Sequence, residues 1–212
     1  MYQRIVKRAI DVLLSGLTLI LFSWLFLILS AAILIDDPGP VLFTQKRFGK
    51  DKTFFQLHKF RSMKRFAPHD VPTHLFQDSN RYITRVGRFL RKSSLDELPQ
   101  FWDILRGKMS LIGPRPALWN QEDLIEARDA NGSNDLRPGL TGWAQINGRD
   151  ELSIAEKAAL DGVYAEAMRK GGMTAFRMDL KCFFRTFRPL TSGQGVVEGA
   201  ANSEPESGER QV

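Results

Sequence analysis

Two acidic residues stand side by side in the run Ser94-Leu95-Asp96-Glu97-Leu98-Pro99-Gln100, and an arginine stands between two prolines in Gly113-Pro114-Arg115-Pro116. An ionised, partly desolvated aspartate such as Asp96 can attack phosphorus and form an acyl phosphate. Glu97, about 100° further round a helix, reaches the same pocket as an acid/base or as a metal ligand. The flanking prolines hold Arg115 extended and pre-aim a planar donor fork that suits phosphate oxygens. Each signal also has a plain reading. Acidic residues collect in first helical turns simply to cap them, and Pro-Arg-Pro makes a rigid surface turn. A third run, Arg137-Pro138-Gly139-Leu140-Thr141-Gly142-Trp143-Ala144-Gln145-Ile146-Asn147-Gly148-Arg149-Asp150, is either a loop able to wrap a nucleotide diphosphate or an ordinary glycine-rich connection. If Arg91, Arg115 and Arg149 converge, their repulsion calls for an anion between them. Phosphate and hard oxygen ligands select Mg²⁺, held through one or two carboxylates.

The elements that must position these groups are short. Ser94 and Glu97 form an S-x-x-E pattern, which predicts a helix from about Leu95 with Asp96 in its first turn, where the dipole favours an ionised carboxylate. Residues 41–45 and 53–60 read as strands joined by a turn at Lys46-Arg47-Phe48-Gly49-Lys50-Asp51-Lys52. Residues 82–92 place Ile83, Val86, Phe89 and Leu90 on one side and Arg81, Arg85, Arg88 and Arg91 around the other. That is a helix for an anionic membrane surface or an ordinary surface helix. Helical patterns recur at 118–130, 154–170 and 173–187. Residues 66–80 are loop-like, and His69 and His74 within them lack a third ligand and read as solvated. From residue 191 on, Gly, Ser and Glu dominate without periodicity, which predicts a disordered tail. The fold class is α+β, mainly helical with a small β-hairpin.

Residues 12–35 carry no charged side chain. As one helix they would run about 36 Å, against a hydrocarbon core about 30 Å thick. Arg4, Lys7 and Arg8 precede the segment, and Lys46, Arg47, Lys50, Lys52, Lys59, Arg61, Lys64 and Arg65 follow it. Positive charge on both flanks favours a re-entrant hairpin; the cost of a bend in lipid favours a straight crossing. Physics alone leaves the two even. Ser15, Thr18, Ser23 and Ser30 can back-bond to carbonyls at a bend, and Asp36-Asp37-Pro38-Gly39-Pro40 is a turn that ends the segment.

Across 212 residues the formal net charge is +6 and the pI about 9.6, while the mean hydropathy of −0.24 makes the rest of the chain soluble. Basic charge beside a membrane segment favours anionic lipid or an anionic substrate. No helix-turn-helix, zinc-finger or aromatic RNA-binding motif supports nucleic acid. The lone Cys182 excludes an intramolecular disulfide and reads as filler on the apolar side of a helix.

The runs Lys7-Arg8-Ala9-Ile10-Asp11, Asp37-Pro38-Gly39-Pro40, Lys59-Phe60-Arg61-Ser62-Met63, Ser94 to Gln100, Met109 to Pro116 and the loop at 138–150 occur together in this order. On them the chain resembles the bacterial sugar transferases that act as monotopic phosphoglycosyl transferases on polyprenol phosphate. The resemblance covers roughly residues 4 to 190. It implies transfer of a phospho-sugar from a UDP-sugar, an N-acetylated amino or deoxy-amino sugar on overall likeness, to undecaprenyl phosphate with release of UMP. It implies an aspartyl-phosphate intermediate and Mg²⁺, with Asp96 as nucleophile and metal contact and Glu97 as its partner. Lys59, Arg91 and Arg115 match phosphate-side positions, Asp161 a later acidic position before Tyr164, and Arg149 completes the substrate set. The resemblance further implies a monotopic protein at the cytoplasmic face of the bacterial inner membrane. Residues 1–36 would be a re-entrant helix, 37–190 a catalytic domain with interfacial amphipathic helices, and 191–212 the tail. Membrane lipid is then a partner, and a homodimer stays open. The family bends its membrane helix at Ser-Pro; here Ser23 precedes Trp24. Two other readings are a plain glycosyltransferase, which would release UDP, and a non-catalytic membrane adaptor.

Overall fold

The computed structural model describes residues 1–68, 81–148 and 151–192, with side chains through residue 186. His69, His74, Arg149 and the tail from residue 193 lie outside the described residues.

After a π-turn at Tyr2–Val6, the apolar segment forms two helices, α1 (Lys7–Leu21) and α2 (Ser23–Asp36), bent by 61° at Phe22. Among the described residues no single helix is long and apolar enough to cross a membrane, but the bent pair passes by length and composition. The four hydroxyls expected to back-bond all do so: Ser15 to Asp11 O, Thr18 to Leu14 O, Ser23 to Ile20 O and Ser30 to Phe26 O. The Ser23 contact, at 2.9 Å, falls at the break.

Both ends of the pair are fastened to the remainder of the chain. Near the start of α1, Arg8 donates to Ile104 O (2.6 Å) and Leu105 O (2.8 Å), and Lys7 pairs with Asp179. Asp11 accepts from Leu111 N and the Ser110 hydroxyl. At the far end, Leu29 and Ile33 pack with Phe60 and Leu90, and Asp36 accepts from Val86 N. Asp37 pairs with Arg61 just past the helix.

Strands β1 (Leu42–Phe48) and β2 (Phe54–Phe60) form an antiparallel hairpin, with Lys46 opposite Gln56. The strand continues through Lys46-Arg47-Phe48, where a turn was expected, because Gln45 and Arg47 point inward to bonded partners. The turn is confined to Gly49–Thr53, with Asp51 and Lys52 left-handed. The helical part comprises α3 (Arg85–Ser93), α4 (Gln100–Leu105), α5 (Glu122–Asp129), α6 (Ile154–Lys170) and α7 (Gly172–Ser192). Helix α7 includes Thr191 and Ser192, where the tail was expected to have begun.

A second, parallel pair was not foreseen: β3 (Ser110–Ile112) beside β4 (Gly139–Thr141). Three residues give too short a run for periodicity to register. Cys182 is fully buried in α7 among Tyr2, Tyr164 and Met168, and burial pushes its thiol up to about 12.

Candidate active site

The expected helix at Leu95 does not form. Ser94 adopts a left-handed conformation (φ 56°) and closes the C-terminus of α3, donating its N–H to Arg91 O. Leu95 to Glu97 make one 3-10 turn, and α4 begins only at Gln100. The S-x-x-E box is unmade because Glu97 is taken by two cations. The box that does form is Ser153/Glu156, at the start of α6. In the 3-10 turn, Leu95 and Leu98 turn into the cluster of Leu29, Ile33, Phe60 and Leu90. That leaves the acids between them facing Lys59, at the end of β2.

Lys59 Nζ lies 2.8 Å from Glu97 Oε1 and 3.8 Å from Asp96 Oδ2. Arg115 Nη2 donates to the same Glu97 oxygen at 2.8 Å. Arg91 adds its charge to Asp96 and is aimed by a 2.9 Å bond from its Nε to the Ser62 hydroxyl. That contact depends on Gly87, where a Cβ would fall 1.9 Å from Ser62 O, so only glycine lets α3 lie this close. His58, beside Lys59, ties β2 to α4 through Asp103 at 2.7 Å.

The two neighbouring carboxylates differ in electrostatics. Burial pushes Asp96 above the ordinary carboxylate value, and Lys59, Arg91 and Arg115 offset this only in part. This departs from the dipole-stabilised anion expected from the sequence, since a three-residue turn carries little dipole. Burial would raise Glu97 too, but Arg115 and Lys59 overcome it and hold Glu97 well below that range. Glu97 is the fixed anion of the site, and Asp96 is an under-solvated one.

Lys59, Arg91, Asp96, Glu97 and Arg115 therefore share one site. Asp161 stands apart from it, fully buried, with its Oδ2 accepting from Arg128 Nε (2.9 Å) and Nη2 (2.5 Å). Arg128 Nη1 then donates to Arg115 O at 2.8 Å. Arg128 and Arg47 were missed in the sequence. Arg47 was assigned to the hairpin turn and counted with the basic flank, and Arg128 passed unremarked within the helical pattern at 118–130; the one signal for Arg47 was its spacing of two from Gln45. Arg47 sits beside Arg115, and burial together with that neighbour pushes its guanidinium down to about 9.

Among the described residues no three His, Cys, Asp or Glu side chains gather into a metal cage. The donor set fits a hard cation that takes its other ligands from phosphate and water. Asp96 is the carboxylate suited to hold it, since the Glu97 oxygen nearest the cations already accepts two hydrogen bonds.

A model of the bacterial sugar transferase family matches residues 2–193. A UDP-glucose:undecaprenyl-phosphate glucose-1-phosphate transferase from Escherichia coli is 45% identical over 160 residues, covering 73% of this chain and 34% of the relative. An undecaprenyl-phosphate N-acetylgalactosaminephosphotransferase from Aeromonas hydrophila is 40% identical over 90% of this chain and 45% of its own length. The exopolysaccharide production protein ExoY of Rhizobium meliloti is 40% identical over 76% of each chain. The chain thus spans about a third and under half of the first two.

Proposed function

Because the chain belongs to the bacterial sugar transferase family, we propose that it moves a phospho-sugar from a UDP-sugar to undecaprenyl phosphate and releases UMP. The observation that carries this reading is the pairing of an under-solvated Asp96 with a Glu97 already neutralised by Lys59 and Arg115. Asp96 attacks the β-phosphorus of the donor, and the bond from that phosphorus to the bridging oxygen breaks, so the oxygen leaves with UMP. The product is an aspartyl phosphate that still carries the sugar. A phosphate oxygen of the polyprenol then attacks the same phosphorus and returns Asp96 as a free carboxylate. Desolvation raises the energy of the anionic nucleophile, and Arg115 and Lys59 lie where charge grows on the transferring phosphoryl group. Glu97 holds both cations in place. Asp96 would also hold Mg²⁺, which when bound would supply charge neutralisation to the donor diphosphate.

The relatives are named for glucose and for N-acetylgalactosamine, so the expected amino sugar must be tested against plain glucose. The ExoY relative's name supports a place in surface polysaccharide assembly. We place the bent α1–α2 pair in the cytoplasmic leaflet of the inner membrane as a re-entrant element. Its two ends are docked on one body, while Leu13, Ile20 and Leu27 near the bend are 70%, 74% and 74% exposed. Apolar surface of that extent calls for lipid.

The test is UMP release in detergent with Mg²⁺, undecaprenyl phosphate and UDP-linked glucose, N-acetylglucosamine and N-acetylgalactosamine, with Asp96→Asn alongside. UMP that requires the lipid and vanishes in the variant is expected. UDP in its place would mean a plain glycosyltransferase, and activity in Asp96→Asn would remove the nucleophile.

A further inference from the structure

Four consecutive carbonyl oxygens around Arg115 are each occupied, and by different parts of the chain. Pro114 O accepts from Gly139 N at 2.9 Å and Ala117 O from Phe48 N at 2.9 Å. Between them, Arg115 O accepts from Arg128 Nη1 at 2.8 Å and Pro116 O from Arg47 Nη1 at 3.1 Å. The outer two are backbone contacts, from β4 and the end of β1. The inner two come from guanidinium groups, each with its own anchor. Arg47 Nη2 donates to Gln45 Oε1 at 2.6 Å, and Arg128 is gripped by the buried Asp161. Arg128 is buried and paired with Asp161, while the half-buried Arg47 has no carboxylate of its own and lies beside a second cation, Arg115, which is electrostatically unfavourable and calls for a compensating role.

We propose that Arg47 and Arg128 are positioning residues that clamp the consecutive carbonyls of Arg115 and Pro116 and so present the Arg115 guanidinium to Glu97 in one orientation, ready for the donor diphosphate. Pro114 and Pro116 have no N–H to anchor the turn, so its orientation rests on its carbonyls. A guanidinium suits this work because its separate donors satisfy an anchor and a carbonyl at once. Lysine has a single rotatable ammonium, keeps the charge and loses that geometry. Asp161 belongs to this device as the anchor of Arg128. The role attached to Arg115 rests on the proposed phosphoryl transfer; the clamp itself does not.

Arg47→Lys and Arg128→Lys, each in the full chain, test it by two independent readouts. In the first, kcat falls about ten- to a hundredfold, and in an Arg115→Ala background either substitution has less than about a twofold further effect. Full additive losses in that background would overturn the clamp, because a merely structural defect adds to the loss of Arg115. The second is phenylglyoxal labelling of Arg115, whose side chain is 40% exposed, followed by peptide mass mapping. Labelling is expected to rise several-fold in either variant whose thermal transition stays cooperative. Wild-type labelling rates in both would overturn the proposal. The labelling arm reads the clamp whether or not any UDP-sugar turns over, so failure of the clamp and failure of the proposed reaction are told apart. Gln45→Ala, which removes the Arg47 anchor and leaves both arginines in place, gives a milder third variant should Arg128→Lys fail to fold, with the same sign expected.

Discussion

Asp96 Oδ2 stands 3.8 Å from Lys59 Nζ, outside hydrogen-bond range, although the next residue in the chain binds the same ammonium at 2.8 Å. A buried carboxylate left that far from its cation is costly to the fold. Because the folded value of Asp96 lies above its ordinary 3.8, its contribution to stability is fully present below that pH and lost as pH rises through the raised value. Wherever the side chain is ionised it therefore weakens the fold. Asp96→Asn is expected to abolish UMP release while leaving the thermal midpoint at or above wild type. A large fall in the midpoint would mean that the Asp96 charge is structural.

Glu97 has the opposite sign. Its folded value lies below the ordinary 4.5, so its contribution is present above that pH and is lost as pH falls through the lowered value. Glu97→Gln strands Lys59 and Arg115 without an anion. It is expected to cost about 2–3 kcal/mol at neutral pH, after discounting for the exposure of Arg115, and to flatten the acid limb of the stability curve. Urea unfolding of Asp96→Asn and Glu97→Gln across pH 3 to 8 checks both; equal effects from the two would refute the division of labour.

Arg115→Lys retains the charge and loses the fork. With Glu97 already holding one Nη group at 2.8 Å, a lysine that pairs with Glu97 has no second donor placed for phosphate. A fall in kcat of about a hundredfold is expected, with unfolding barely altered. Near-normal kinetics would make Arg115 a structural residue.

Much of this was legible in the sequence, and what was not has physical causes. Helix α6 falls where the pattern put it, because seventeen residues give the period room to register. Lys59, Asp96, Glu97 and Arg115 do converge, as their family motifs implied. The local geometry of Asp96 and Glu97 was misread, since a capping box and a salt-bridged glutamate look identical as S-x-x-E. Two cations 38 and 18 residues away decided between them. Arg47 and Arg128 were invisible for the same reason: an arginine reveals its inward role only once its partners, Pro116 and Asp161, are brought to it by the fold.

Gly142 makes a prediction about the floor beneath Arg115. A Cβ there would fall 2.1 Å from Gly113 O, and one at Gly139 would fall 2.1 Å from Gly113 N. The backbone just before Pro114 is thus packed directly onto the glycine-rich loop, and no side chain can move aside to make room. Gly142→Ala is expected to destabilise by about 1–3 kcal/mol through overpacking and, by shifting Gly113, to lower kcat more than it changes KM. A fully active, fully stable Gly142→Ala would show that the loop can retreat from the turn at no cost.

The bend at Phe22 predicts a topology that vesicles can read. Arg4 precedes α1 and Asp51 follows α2, and both are exposed. Their neighbours Gln3 and Lys50 line one cavity of about 30 Å³ together with Asp11, Arg137 and Tyr164. A straight crossing would carry these flanks to opposite faces of a bilayer, whereas here the start of α1 and the end of α2 are both docked on the same body. Single variants Arg4→Cys and Asp51→Cys, treated with a membrane-impermeant maleimide, should both label in inverted inner-membrane vesicles and neither in right-side-out ones. The native Cys182 gives little background, being fully buried with its thiol pushed up to about 12. Labelling of the two variants from opposite sides would mean that the segment spans the membrane and that the docking of Arg8 onto α4 does not survive in lipid.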